Sequence, residues 1–165
     1  MELEPWAEAV DETGATYAEN AILKAEAAAA ATGLPALGDD SGLEVAALGG
    51  EPGLLSRRLG ATQAERHQVL WRRLEGVPPP WWATFVAVLA LVVPGRRPNL
   101  FEGRADGELL PAERGDGGFG YDPVFLVPER GLTFAEMDPA EKQQFSHRGL
   151  AAAALVKSGV LSSIA

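Results

Sequence analysis

The chain has 165 residues, of which 47% are hydrophobic and 22% charged, and it contains no cysteine. This length is sufficient for a domain with its own hydrophobic core, and the lack of cysteine excludes disulfides, thiolate nucleophiles, zinc fingers and iron–sulfur clusters. The net charge of -9 argues against a nucleic-acid partner, because affinity for a phosphate backbone comes largely from cationic contacts.

The sequence shows no targeting or membrane segment. Residues 1–9 are acidic and lack the apolar stretch that a signal peptide needs. The longest apolar run, residues 85–93, is too short to cross a bilayer. We therefore expect a cytoplasmic protein that does not contact a membrane.

Two capping boxes predict the first two helices. Residues 16–19 and 62–65 each place a Thr three positions before a Glu, which is the spacing that pairs the free N–H groups of a first helical turn. The first helix should run to about Ala31, with Gly33 as its left-handed stop, and the second should run to about Leu74. The prolines at 78–80 exclude helix and offer the best boundary between two lobes.

Apolar and β-branched runs predict about five strands. Residues 34–37 favour a short strand that runs into a polar turn over residues 38–42. Residues 43–48 are predicted to be a further strand or a short helix, and later strand candidates are residues 84–93, 100–105 and 124–127. Two more helices are predicted at residues 139–144 and 146–155. Helices that alternate with strands in this way indicate an α/β fold.

The polar segment Asp39-Asp40-Ser41-Gly42 is the first candidate site, because ligands of open α/β sheets bind where strands end. Two adjacent carboxylates suit Mg²⁺, which prefers such oxygens and keeps waters for substrate phosphates. Lys24 lies on one helix face with Asn20 and can contact a phosphate. A solvated turn and a solvated lysine are the alternative interpretations.

The glycine-rich segment 115–120 has the spacing G-x-G-x-x-G. A dinucleotide fingerprint needs a helix after it, and Asp122 and Pro123 lead into a strand instead, so we reject that interpretation. The glycines rather predict a close approach of the backbone to a ligand. Phe119 and Tyr121 are candidates for stacking on a base, or alternatively they anchor the loop on the core.

The last predicted helix begins with charged or polar side chains. Ser146 is the predicted N-cap, which places His147 and Arg148 in the first turn, a short distance after Lys142. Cations at a helix N-terminus oppose the helix dipole. This pattern indicates an anionic or hydrogen-bond-accepting partner, and solvated side chains are the alternative.

In order and spacing, these segments resemble the inosine triphosphate pyrophosphatase family. The similarity runs from Asp11 to about Ala152, nearly the whole chain. The matching residues are 12–14, 19–25, 32–35, 39–45, 48–50, 52–53, 56–57, 117–125, 133, 135–137, 142 and 146–148. No single motif is decisive, but the ordered set is specific.

The resemblance implies a mixed central sheet flanked by helices, with two lobes and a cleft between them. It implies a homodimeric, Mg²⁺-dependent hydrolase that cleanses the nucleotide pool. Inosine, deoxyinosine or xanthosine triphosphate would be split to the monophosphate and pyrophosphate by a water that attacks the α-phosphorus. Such a reaction needs charge neutralisation and an aligned water rather than a covalent nucleophile, so the lack of cysteine is compatible with it.

The resemblance also implies roles for individual residues. Glu12 and Asp40 match the metal-binding acids, and Asp40 is also the expected general base. Lys24 matches a phosphate contact and Ser41 a substrate contact. The residues expected at the base are Phe119, which would stack on it, with Gly120, Tyr121, Asp122, Lys142, His147 and Arg148.

One part of the family pattern is not matched. The family normally opens with an apolar strand and a loop of the form Ser/Thr-x-Asn-x-x-Lys, whereas only residues 1–10 precede Asp11 here. Residues 1–165 are therefore predicted to be a single, N-terminally shortened domain. Two alternatives stay open: a non-catalytic or impaired nucleotide-binding paralogue, and a pyrophosphatase that acts on modified pyrimidine nucleotides.

Overall fold

The computed structural model describes residues 4–6 and 8–164, which contain a six-stranded sheet with helices on both faces. The helices are α1 (Tyr17–Thr32), α2 (Gln63–Arg73), α3 (Pro139–Phe145) and α4 (His147–Lys157). The strands are β1 (Ala36–Val45), β2 (Pro52–Gly53), β3 (Trp81–Val92), β4 (Asn99–Leu109), β5 (Phe125–Val127) and β6 (Leu132–Thr133).

The α/β class is confirmed, with the strand order β2-β1-β3-β4-β5-β6. Every pairing among the described strands is antiparallel, whereas we expected a mixed sheet with both parallel and antiparallel pairings. The two-residue strands β2 and β6 were not predicted, since so short a segment carries no detectable periodicity. None of the helices in the described part of the chain is long and apolar enough to span a bilayer.

The predicted polar turn over residues 38–42 is wrong, because β1 continues through it. Gly38 pairs with Ala90 and Gly42 with Val86 on β3, without interruption. A Cβ on Gly38 would lie 2.1 Å from the carbonyl oxygen of Ala21, so the glycine lets α1 lie directly on the strand. Long-range pairing therefore overrides the local turn preference of Gly, Asp and Ser.

The cap signals located the helices correctly. Thr16 accepts a hydrogen bond from the N–H of Glu19, and α1 ends at Gly33 in the left-handed conformation with φ 69°. The capping box at the start of α2 is complete. Ser146 caps α4 and accepts from the N–H of Gly149 at 3.1 Å. Caps are predictable because all of their partners lie within a few residues.

Three clusters of buried side chains surround the sheet. On one face, alanines of α1 pack against Val88, Ala90 and Val92 of β3. On the other face, Ala151 of α4 packs against Ala87 and Leu89. The largest cluster joins one end of the sheet to α2 and to the segment around β5 and β6. Strand β1, which precedes the prolines at 78–80, pairs along its whole length with β3, which follows them, so these prolines do not divide the sheet.

Candidate active site

A cavity of about 480 Å³ opens where α4 and β1 face α2 and the glycine-rich loop. From β1, β3 and α4 it is lined by Ser41, Gly42, Phe85, His147 and Arg148. The remaining lining residues are Ser56, Arg57, Gln63, Arg66, Phe119, Gly120, Tyr121 and Asp122. Seven of the residues that the sequence assigned to the substrate therefore share one cleft, and their partner Lys142 lies against two of them.

Arg148 connects the first turn of α4 to β1. Its Nε donates to Oδ2 of Asp39 at 2.6 Å, and its NH2 group donates to Oγ of Ser41 at 2.8 Å. Side chains alternate between the two faces of a strand, so Asp39 and Ser41 point toward α4 and Asp40 points toward α1. The ion pair with Asp39 also offsets the unfavourable position of a cation at a helix N-terminus.

The glycine-rich loop presents an aromatic ring to the cleft. Phe119 is 61% exposed, and its backbone N–H donates to Oδ2 of Asp122 at 2.6 Å. Nζ of Lys142 donates to the same oxygen at 2.6 Å and lies 4.8 Å from the centre of the Phe119 ring. The ring therefore lies among cationic donors, an arrangement that favours a flat, electron-rich ligand.

His147 is a buried, neutral side chain in this cleft. Its ring stacks on Phe85 at 4.5 Å with an angle of 7° between the planes. Burial lowers the pKa of His147 to about 3, and the positive charges of Arg148 and Lys142 act in the same direction. His147 is therefore neutral at neutral pH, and Arg148 alone brings a positive charge to the first turn of α4. Nδ1 of His147 is buried without a hydrogen-bond partner among the described residues.

A second cluster lies on the α1 face of β1. Nζ of Lys24 donates to Oδ1 of Asp40 at 2.8 Å and to Oε1 of Glu12 at 2.9 Å. Asn20 donates to the other oxygen of Asp40 at 3.3 Å. Arg58 approaches Glu12 at 3.8 Å. The structure therefore brings together the three residues that the sequence assigned to metal and phosphate chemistry.

Lys24 and Glu12 stabilise each other's charged forms. The hydrogen bond from Lys24 lowers the pKa of Glu12, and Arg57 and Arg58 add to this effect. Burial opposes the charge on Lys24, but its hydrogen bonds to Asp40 and Glu12 outweigh burial and raise its pKa. Both shifts favour the charged forms of Glu12 and Lys24.

The acid–lysine cluster and the cleft lie on opposite faces of β1, so Asp40, Lys24 and Glu12 do not line the cavity. Residues 56–58 connect the two regions, because Arg57 lines the cleft while its neighbour Arg58 approaches Glu12. An elongated ligand with a base in the cleft would have to pass this segment to reach Asp40.

The acidic pair fits a hard divalent cation. Two carboxylates, from Glu12 and Asp40, converge on the ammonium group of Lys24, so a positive charge is already favoured at this point. Across the described residues, no group of three or more His, Cys, Asp or Glu side chains has metal-binding geometry. Mg²⁺ accepts such a site, since it is commonly held by one or two carboxylates with waters and substrate phosphates.

Sequence reasoning missed the contribution of α2 to the cleft. Gln63 and Arg66 line the cavity, and His67 is fully buried behind them. These positions lie three or four residues apart with Leu70, so they share one helix face. The sequence does carry a signal for this contribution, because Gln63, Arg66 and His67 share a helix face with the buried Leu70.

An α/β sheet with a cleft of aromatic and cationic side chains beside two carboxylates is typical of a nucleotide-binding protein. The comparison with known families is more specific. The model of the Ham1 family matches residues 2–158, and the chain belongs to that family.

Two bacterial proteins that are similar to this chain in sequence have the same functional name. A dITP/XTP pyrophosphatase of Thermus thermophilus is 55% identical over 150 residues, which cover 89% of this chain and 72% of the relative. The dITP/XTP pyrophosphatase of Gloeobacter violaceus is 53% identical over 143 residues, covering 87% of this chain and 73% of the relative.

Solved structures support the same fold. A HAM1 protein from Coxiella burnetii is 46% identical with a TM-score of 0.85, over 93% of this chain and 80% of that one. The Ham1 protein of Staphylococcus aureus has 39% identity and a TM-score of 0.85, over 95% of this chain and 82% of that one.

Proposed function

We propose that the chain hydrolyses non-canonical purine nucleoside triphosphates, namely deoxyinosine, inosine and xanthosine triphosphate, to the monophosphate and pyrophosphate. The observation that carries the proposal is the convergence of Phe119, Asp122, His147 and Arg148 on one cleft, with Lys142 bonded to Asp122 at its edge, next to the strand that carries Asp40. The name dITP/XTP pyrophosphatase, carried by relatives in Thermus and Gloeobacter, supports it.

Base selection follows from the donors in the cleft. Phe119 offers a face for the purine ring, and Lys142 and Arg148 lie 4.8 Å and 5.6 Å from the centre of that face. Both side chains carry only donors, so they favour the 6-keto oxygen of hypoxanthine or xanthine. The 6-amino group of adenine would leave a donor unpaired, which costs several orders of magnitude in discrimination.

The chain's own residues supply the phosphate chemistry. A water oxygen forms a bond to the α-phosphorus, the bond from this phosphorus to the α,β-bridging oxygen breaks, and pyrophosphate leaves. Asp40 accepts a proton from the attacking water, while Lys24 and Arg57 neutralise phosphate charge. Phosphates that draw Lys24 toward them would free the Asp40 oxygen that Lys24 contacts in the structure.

We propose that Glu12 and Asp40 hold Mg²⁺ when substrate binds. The ion would supply charge neutralisation at the phosphate oxygens and help to fix their position. The contacts of both carboxylates with one ammonium group, at 2.9 Å and 2.8 Å, support this assignment.

The expected homodimer and cytoplasmic location remain predictions. Trp71 and Trp81 donate their ring N–H groups to the carbonyls of Leu110 and Val77 within the chain, at 2.9 Å each. Of Trp71, Trp81 and Trp82, only Trp82 is exposed, at 53%, so we propose it as a contact for a second copy. Light scattering of the wild type and of Trp82→Ser would test the dimer.

The test is pyrophosphate release from a panel of triphosphates, with and without Mg²⁺. Asp40→Asn should abolish turnover, whereas the control Asp106→Asn, at an exposed carboxylate bonded to Thr84, should keep it. Saturable inosine monophosphate binding without turnover would indicate the impaired paralogue. Preference for a modified pyrimidine triphosphate would refute the purine assignment.

A further inference from the structure

His67 occupies a position between α2 and the glycine-rich loop. The side chain has no exposed surface, and both ring nitrogens have oxygen partners. Nε2 lies 2.7 Å from the carbonyl oxygen of Gly120, and Nδ1 lies 2.5 Å from Oε1 of Glu113. None of the residue assignments made from the sequence includes it.

The partners define the hydrogen-bond direction at Nε2. A carbonyl oxygen only accepts, so Nε2 of His67 must carry the proton and donate to Gly120. Glu113 accepts from Nδ1 when ionised or donates to it when protonated, and the bond to Gly120 is the same in both cases. The rings of Trp71 and Tyr121, at 5.9 Å and 5.6 Å, hold the imidazole from its sides.

The Gly120 carbonyl that His67 contacts belongs to the turn that holds the Phe119 ring in the cleft. Gly120 has a φ of +64°, a left-handed conformation that reverses the chain between Phe119 and Tyr121. The N–H of Asp122 donates back to the carbonyl of Phe119 at 3.2 Å, and the N–H of Phe119 donates to the Asp122 carboxylate. The orientation of the Gly120 peptide therefore sets the positions of both side chains.

The adjacent tyrosine extends this support to β1. The hydroxyl of Tyr121 donates to the carbonyl of Ser56 at 2.7 Å, and Oγ of Ser56 accepts from the N–H of Leu43 at 2.8 Å. One continuous set of contacts thus runs from α2 through the loop to the strand next to the cleft. His67 is its only member on α2 with a hydrogen bond to the loop among the described contacts.

We propose that His67 is a positioning residue for base recognition. Its Nε2–H group holds the Gly120 carbonyl, so that Phe119 and Asp122 keep the geometry in which a purine binds. The identity of the ligand rests on the proposed function. Asp40 lies on the other face of β1, where its described hydrogen bonds go to Asn20 and Lys24. Losing the His67 bond should therefore weaken substrate binding without slowing the chemical step.

Two amide substitutions distinguish the contribution of Nε2 of His67 from that of Nδ1. In His67→Gln the amide nitrogen reaches about as far as Nε2, and in His67→Asn it reaches about as far as Nδ1. We expect His67→Gln to keep KM for deoxyinosine triphosphate within about threefold of wild type. His67→Asn and His67→Ala should raise KM by about tenfold with kcat nearly unchanged, as expected for one lost buried hydrogen bond. Gln68→Ala, on the exposed face of α2, is the control.

Hydrogen exchange gives a measurement that does not need activity. The amides of Phe119 and Asp122 should exchange faster in His67→Asn than in wild type, and His67→Gln should remain protected. If the wild-type chain turns over no triphosphate but shows this exchange pattern, the proposed function fails and the positioning role stands.

Three results would overturn the proposal. Gln and Asn variants with equal KM and equal exchange would show that the Gly120 bond does not matter. A fall in kcat at unchanged KM would place His67 in the chemical step instead. Equal losses of thermal stability and binding in all three variants would show that His67 only fills the core.

Discussion

The buried, neutral His147 predicts a specific loss of stability in mild acid. Its pKa in the folded chain is about 3, below the usual value of 6.5, because of burial and two nearby cations. As pH falls below 6.5, the unfolded chain binds a proton that the folded chain excludes. The stability that neutral His147 contributes is therefore complete above pH 6.5 and declines as pH falls toward 3.

The magnitude follows from the linkage relation, in which one proton changes the free energy of unfolding by about 1.4 kcal/mol per pH unit. Between about pH 8 and pH 5 the wild type should lose about 2 kcal/mol through His147 alone. In the variant His147→Gln this loss should disappear, while other titrating groups stay the same. Urea unfolding of both proteins at several pH values measures the difference, because urea keeps ionic strength constant. Parallel curves would refute the assignment of a buried neutral imidazole.

Three further substitutions test other contacts. Ser146→Ala removes the N-cap of α4 and should cost about 1 kcal/mol in urea unfolding; an unchanged midpoint would contradict the cap. Gly118→Ala should raise KM for deoxyinosine triphosphate at least about tenfold, because a Cβ at this position would lie 2.2 Å from Oδ2 of Asp122. Gly95 also has a left-handed conformation but faces open space, so the control Gly95→Ala should leave this KM unchanged. Lys24→Met should lower kcat by about a hundredfold, since it removes the cation beside two carboxylates; circular dichroism would confirm folding, and normal turnover would exclude Lys24 from catalysis.

The helices were predictable because their signals are local. The caps at Thr16, Thr62 and Ser146 act within three residues, and Gly33 ends α1 by its own conformation. Strand β1 was not predictable at residues 38–42, because its stability comes from pairing with β3 some fifty residues later. The turn preference of Gly38 is local, and the packing of α1 on this residue and its pairing with β3 override it.

The candidate site was predictable as a set of residues but not as an arrangement. The order of motifs along the chain identified Asp40, Lys24 and Glu12, which do cluster in the structure. Which aspartate faces the lysine depends on strand register, and the structure pairs Asp39 with Arg148 instead. His67 was missed because its partners are 46 and 53 residues away, beyond any local pattern.

The most direct test of the proposed function is the ratio of kcat/KM for deoxyinosine triphosphate to that for deoxyadenosine triphosphate, measured by pyrophosphate release. Donors from Lys142 and Arg148 around Phe119 predict a preference of at least about a hundredfold for deoxyinosine triphosphate. Equal values for the two substrates, or turnover of neither by folded protein, would contradict a cleft that selects a 6-keto purine for hydrolysis.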